Sequence, residues 1–168
     1  AAVELNKAKA GGLVIVDVES GEILALANWP TYNPNARNRI TREKMRNRAL
    51  TDVFEPGSTM KPFTIAVAME AGKVRPDSVI HTEGGSLTIG RATIHDAHPA
   101  GPLTVEQVIQ KSSNVGAAKI ALSLPAETLW KMLSDSGFGT PPRTGFPGEV
   151  AGRLRPAKTW RPIEQATM

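Results

Sequence analysis

The chain has 168 residues, 40% apolar and 21% charged, which excludes disorder as its state and supplies enough chain for one domain with one sizeable core. It contains no cysteine, so disulfides, cysteine nucleophiles and thiolate metal sites are excluded together, while the compartment stays open. The net charge of +4 raises a nucleic-acid partner, and no apolar run approaches the roughly eighteen residues needed to cross a bilayer.

Glu4 to Lys9 suits the end of a helix, broken at Gly11-Gly12. Leu13-Val14-Ile15-Val16-Asp17-Val18 and Glu22-Ile23-Leu24-Ala25-Leu26-Ala27 flank a Ser20-Gly21 turn and predict an antiparallel hairpin. Their near-continuous apolarity predicts burial on both faces. Trp29 to Asn38 is rich in Pro and Asn and reads as loop, and Thr41 to Leu50 predicts a short helix capped by Thr41. The basic residues Arg37, Arg39, Arg42, Lys44, Arg46 and Arg48 are interrupted by Glu43 and have no aromatic platform. They read as a solvated or domain-docking connector, which argues against nucleic acid.

A helix is predicted from about Ser58 to Ala71, stopped at Gly72. Ser86 to Ile94 alternates and predicts a small hairpin away from the main sheet. Thr104 begins another helix, with Val105, Val108 and Ile109 at helical spacing, and periodicity resumes from Val115 to Leu122. Pro125 to Ser136 reads as a further helix with Leu129, Trp130, Met132 and Leu133 on its apolar face, ended by Gly137. Gly139 to Arg161 is turn-rich. There is no internal repeat.

Chemistry concentrates in Phe54-Glu55-Pro56-Gly57-Ser58-Thr59-Met60-Lys61-Pro62. Residues at i and i+3 share a helix face, so the Lys61 amine reaches back over one turn toward the Ser58 hydroxyl. A serine with a base in hydrogen-bonding reach attacks carbonyls. A helix start also gathers free N–H groups, which stabilise an oxyanion and push a neighbouring ammonium toward its neutral form. Pro62, in the first turn, breaks at most one bond. The plainer alternative is an N-cap serine followed by a solvated lysine, and the bare spacing does not choose between them.

A second element chooses. Lys111-Ser112-Ser113-Asn114-Val115-Gly116, at a helix-to-helix junction, resembles the Ser-x-Asn motif of penicillin-binding proteins, which faces the Ser-x-x-Lys pair across the cleft. Arg46 to Asp52 is also similar to the family, Gly21 to Asn28 resembles its second strand, and Tyr32-Asn33-Pro34-Asn35 the segment after it. Gly145 to Glu149 and Trp160 to Thr167 resemble stretches of the cell-division type of class B enzyme. The resemblance spans nearly the whole chain.

It implies an α+β fold: part of the penicillin-binding and serine β-lactamase-like transpeptidase fold, with the N-terminal hairpin of the central antiparallel sheet and the helical subdomain, the later sheet strands being missing. It implies a peptidoglycan D,D-transpeptidase forming cross-links in cell division, with no cofactor. Ser58 would attack the carbonyl between the last two D-alanines of a stem peptide, leaving an acyl-enzyme. Lys61 would take the Ser58 proton as general base, and Ser112 would relay a proton to the departing amine. Asn114 would bind the substrate amide and help position Lys61. An amine from a neighbouring stem peptide would close the cross-link, and β-lactam antibiotics would acylate the same serine. The implied setting is the periplasmic face of the bacterial inner membrane, with divisome partners and an anchor outside this chain, the chain itself being soluble.

The sequence departs from the family in one respect: it contains no Lys-[Ser/Thr]-Gly tripeptide, the third motif, whose strand supplies an oxyanion-hole N–H. The 168 residues are therefore expected to be an incomplete transpeptidase domain that acylates poorly by itself, since one lost oxyanion donor costs about a hundredfold to a thousandfold, and that exposes apolar surface where sheet strands are missing. Two other functions stay open. A serine β-lactamase would need a base for deacylation, and no Glu-x-x-x-Asn motif follows Asn114. A non-enzymatic penicillin sensor would need only Ser58.

His95 and His98 approach metal-ligand spacing in His95-Asp96-Ala97-His98, but no third ligand pattern accompanies them, and they read as surface or cleft-rim histidines. His81 stands alone and reads as structural. Trp29, Trp130 and Trp160 are too scattered for a stacking platform and read as packing residues.

Overall fold

The two apolar runs near the start pair as an antiparallel hairpin in the computed structural model, which describes residues 2–168. After helix α1 (Ala2–Leu5), strand β1 (Gly11–Val16) pairs with β2 (Ile23–Trp29), so that Gly11 stands opposite Trp29 and Val16 opposite Ile23. Gly11 and Gly12 therefore open the strand rather than merely break the preceding helix. Between the strands, the Asp17 carboxylate accepts the Ser20 and Glu19 N–H groups at 2.7 and 3.0 Å and closes the turn.

Burial of both hairpin faces is not what the structure shows. Leu13 is 52% exposed and Ile15 49%. The physical reason is the sheet's width. It has two strands, and the short helices of its unit meet it at the end where Gly11 and Gly12 face Trp29 and Asn28, so most side chains along the strands stay exposed. The single helix expected over Thr41 to Leu50 is two: α2 (Arg42–Met45), where Thr41 Oγ1 caps the Lys44 N–H as expected, and α3 (Arg48–Thr51). Extended backbone at Arg46 separates them. Asn28 holds α3 to β2, its Oδ1 accepting the Ala49 N–H at 3.1 Å and its Nδ2 donating to Asn47 at 2.7 Å.

These elements, residues up to Phe54 with Pro141–Gly152, form one of two units into which the chain divides; none of the unit's described residues is buried. The expected single core lies wholly in the other unit, Glu55–Thr140 with Arg153–Met168. There a 3-10 turn, Gly57–Met60, runs directly into α4 (Lys61–Glu70). Strand β3 (Val79–Ile80) pairs with β6 (Leu103–Thr104), and β4 (Ser86–Ile89) with β5 (Ala92–His95) in the small hairpin that the alternation predicts. Helices α5 (Val105–Gln110), α6 (Asn114–Leu122), α7 (Ala126–Asp135) and α8 (Pro162–Ala166) complete it.

The core is built around α6. Its small residues, Gly116, Ala117 and Ala118, let helices approach closely, and Val115, Ile120 and Ala121 are at most 1% exposed. Ile65 and Ala68 of α4, Val105 and Val108 of α5 and Leu129 and Leu133 of α7 join the same core. Each large aliphatic side chain so buried contributes about 1.5–3 kcal/mol. Phe63 meets Phe138 edge to face at 5.3 Å. Trp130 and Trp160 are half-buried, Trp160 against the core, while His81, His95 and His98 are exposed. No helix among the described residues is long and apolar enough to cross a membrane.

Candidate active site

Helix endings explain how the polar residues come together. α4 and α7 end on a glycine in the left-handed conformation, Gly72 (φ 66°) and Gly137 (φ 90°). Each is closed by paired reversed bonds: Gly72 and Lys73 N–H to Met69 and Ala68 carbonyls, Gly137 and Phe138 N–H to Ser134 and Leu133 carbonyls. α5 ends with the same two bonds, Ser112 N–H to Ile109 and Ser113 N–H to Val108, both 3.0 Å. Its left-handed residue, however, is Ser112, with φ 53°. A side chain there costs about 1–2 kcal/mol, and the turn aims both the hydroxyl and the carbonyl of Ser112 at Lys61.

The Lys61 amine is surrounded by oxygen. Its Nζ lies 3.1 Å from Ser58 Oγ, 2.6 Å from the Ser112 carbonyl, 2.8 Å from Ser112 Oγ and 2.7 Å from Asn114 Oδ1. Ser112 Oγ is also 3.1 Å from Ser58 Oγ, so three polar groups form a closed triangle. Ser58 and Ser112 are exposed at the surface, whereas Lys61 is buried. Burial holds the lysine below its usual value of 10.5, and the Asp96 charge partly opposes this. The structure thus brings together all four residues singled out from the sequence, Ser58, Lys61, Ser112 and Asn114.

Asn114 is oriented by its other end. Its Nδ2 donates to the His95 carbonyl at 2.8 Å, which turns Oδ1 toward Lys61 and leaves the second Nδ2 proton unused by that bond. Ser113, between the two motif residues, caps α6 through Oγ, which accepts the Gly116 N–H at 2.9 Å. Gly116 is required here, because a Cβ would stand 2.6 Å from Val108 Cγ2.

Sequence reading missed Asp96. It noticed the residue only as part of a weak histidine pattern, yet Asp96 is buried and accepts from Ser113 Oγ at 2.8 Å and from the Val115 N–H at 2.9 Å. His95 enters the site through its main chain rather than its ring. The available signal was positional: an acidic residue just past the predicted hairpin, ahead of a helix start to which it could dock.

The chain belongs to the family of the penicillin binding protein transpeptidase domain, which matches residues 11–168. Among its relatives are proteins named probable peptidoglycan D,D-transpeptidase PenA from Neisseria flavescens and peptidoglycan D,D-transpeptidase FtsI from Escherichia coli K12. The first is 47% identical over 167 residues and the second 45% over 166, each match covering 99% of this chain. The chain spans 41% and 28% of the lengths of these two relatives. Its fold is that of the transpeptidase domain of penicillin-binding protein 3 from Burkholderia pseudomallei, with a TM-score of 0.86 at 48% identity, covering 99% of this chain and 46% of that one. A crystal structure described as a peptidoglycan glycosyltransferase from Burkholderia ambifaria is similar with a TM-score of 0.87 at 51% identity, covering 99% of this chain and 48% of that one.

Proposed function

We propose that the protein carrying this chain is a peptidoglycan D,D-transpeptidase that works through an acyl-enzyme on Ser58, and that these residues are part of its transpeptidase domain. One observation carries the reading: Lys61 Nζ has more oxygen neighbours than an ammonium has protons. As a neutral amine, Lys61 donates its two protons to the Ser112 carbonyl and Asn114 Oδ1, which only accept. Its lone pair is then free for the Ser58 hydroxyl proton, 3.1 Å away between heavy atoms. Burial favours that neutral form.

This geometry supports the following steps. Ser58 Oγ bonds to the substrate carbonyl carbon as its proton passes to Lys61. The amide C–N bond breaks, and the proton returns through Lys61 and Ser112 Oγ to the departing D-alanine nitrogen. The unused Nδ2 proton of Asn114 is available to the substrate amide oxygen. An acceptor amine from a second stem peptide then displaces Ser58, which recovers its proton. A β-lactam amide acylates Ser58 by the same first steps, in keeping with the family's name.

The cell-division role rests on the segments resembling the cell-division enzymes, Arg46 to Asp52, Gly145 to Glu149 and Trp160 to Thr167. Action at the periplasmic face of the inner membrane, with divisome partners, belongs to the same reading. Intact-mass analysis of the whole protein after exposure to a fluorescent penicillin tests it. One persistent adduct per chain, lost in Ser58→Ala, is the expected result. An adduct elsewhere would overturn the reading, and one that clears within seconds would favour the β-lactamase alternative.

A further inference from the structure

We propose that Asp96 is a positioning residue of the acylation site: it fixes the residues on either side of Asn114, and through Asn114 the amine of Lys61. The inference rests on the transpeptidase reading above.

Two consecutive residues at the end of β5 make three hydrogen bonds to three consecutive residues at the start of α6. The His95 carbonyl takes the Asn114 side chain, Asp96 Oδ2 takes the Ser113 hydroxyl, and Asp96 Oδ1 takes the Val115 N–H. Ser113 and Val115 flank Asn114 and are 3% and 0% exposed, so water cannot replace Asp96 at either bond without reopening the helix start. The hairpin end is itself held. The Asp96 N–H donates to the Gly85 carbonyl at 2.9 Å, and a Cβ on Gly85 would stand 2.8 Å from Pro99 Cα, so this strand end packs closely on the chain that follows it.

Electrostatics points the same way. Among the described residues no cation lies within ion-pair distance of Asp96, and its carboxylate sits at the positive end of α6. The elements packed around α4 carry Glu106 and Lys111 on or beside α5, Lys119 on α6, and Glu127, Lys131 and Asp135 on α7. Lys119 is paired with Glu83 and Lys131 with Asp135, and Asp96 is the charge that acts on Lys61. A carboxylate so placed holds the proton on Lys61 more firmly, moderating what burial does.

The test compares Asp96→Asn and Asp96→Ala with wild type in the whole protein, following penicillin acylation of Ser58 from acid to alkaline pH and thermal unfolding in parallel. Asp96→Asn keeps the shape and an acceptor for the Val115 N–H but removes the charge. Its acylation rate should begin to rise at lower pH than in wild type. Asp96→Ala should acylate about a hundredfold more slowly, the order expected for a misplaced catalytic group. Were Asp96 merely structural, both variants would unfold earlier with the pH profile unmoved, and an Asp96→Asn protein of unchanged rate and profile would overturn the inference alone. A wild type that takes no label at Ser58 would overturn the transpeptidase reading and this inference with it.

Discussion

Lys61 Nζ lies 2.7 Å from Asn114 Oδ1, across fifty-three residues of sequence, and the Asn114 amide is turned to make that contact by the bond its nitrogen gives to the His95 carbonyl. The lysine's partner at this point is thus a neutral amide oxygen, held in place by the bond at the amide's other end. A charged partner at the same point would reverse the tuning.

Replacing Asn114 tests this directly. Asn114→Asp places a carboxylate against the amine, raises the proton affinity of Lys61 and shifts the rise of acylation with pH to higher pH, so that activity lost at neutral pH returns partly in alkali. Asn114→Ala should lose about a hundredfold at every pH, because it misplaces the lysine without adding charge. Rates of penicillin labelling measured against pH separate the two.

Ser112 carries a conformational cost that its hydroxyl and carbonyl justify. Ser112→Gly removes the side chain from a left-handed position and should stabilise the protein by up to about 1 kcal/mol relative to Ser112→Ala, which keeps a Cβ at φ 53°. Both should lose acylation to the same extent, because both lack Oγ. Urea unfolding read beside labelling rates will show whether stability and activity part in this way.

Gly116→Ala should destabilise by about 1–3 kcal/mol, since the new methyl meets Val108, which is fully buried and has no room to move. The strain falls on the α5–α6 junction, so acylation should slow as well. A second substitution, Val108→Ala, should recover part of both losses in the double variant.

Glu164 governs acid stability of the C-terminal segment. The Arg161 N–H and side chain, with the Arg155 guanidinium, hold its carboxyl at about 2, down from 4.5. The folded pKa is depressed, so the stabilisation is full above about 4.5 and is lost as pH falls toward about 2. Melting temperatures across that window should fall more steeply for wild type than for Glu164→Gln.

Much of the site was legible because its chemistry lies in short local patterns. Ser58 and Lys61 sit one turn apart, and Ser112 and Asn114 flank a single residue; each spacing is a local property of the backbone. Capping residues were legible for the same reason, with Thr41, Thr104, Gly72 and Gly137 all found at helix ends. Helix α8 was not read, because five residues following a proline-rich stretch give too little periodicity to register. The two-face burial of the hairpin was misread, because an apolar pattern reports what a strand can pack on and not what lies beside it, whereas the exposed apolar surface expected of an incomplete sheet is found there.

By itself the sequence determined the family, the helical unit and the four polar residues, all carried by local spacing and by likeness along the chain. The tertiary structure alone decided that Lys61 is buried among four oxygens, that a serine takes the strained turn position elsewhere held by glycine, and that Asp96 brackets Asn114. Those facts depend on which distant residues meet when α4, α5, α6 and the β4–β5 hairpin pack around one core, and hydrogen bonds between residues seventeen to fifty-four apart leave no periodic trace in a sequence.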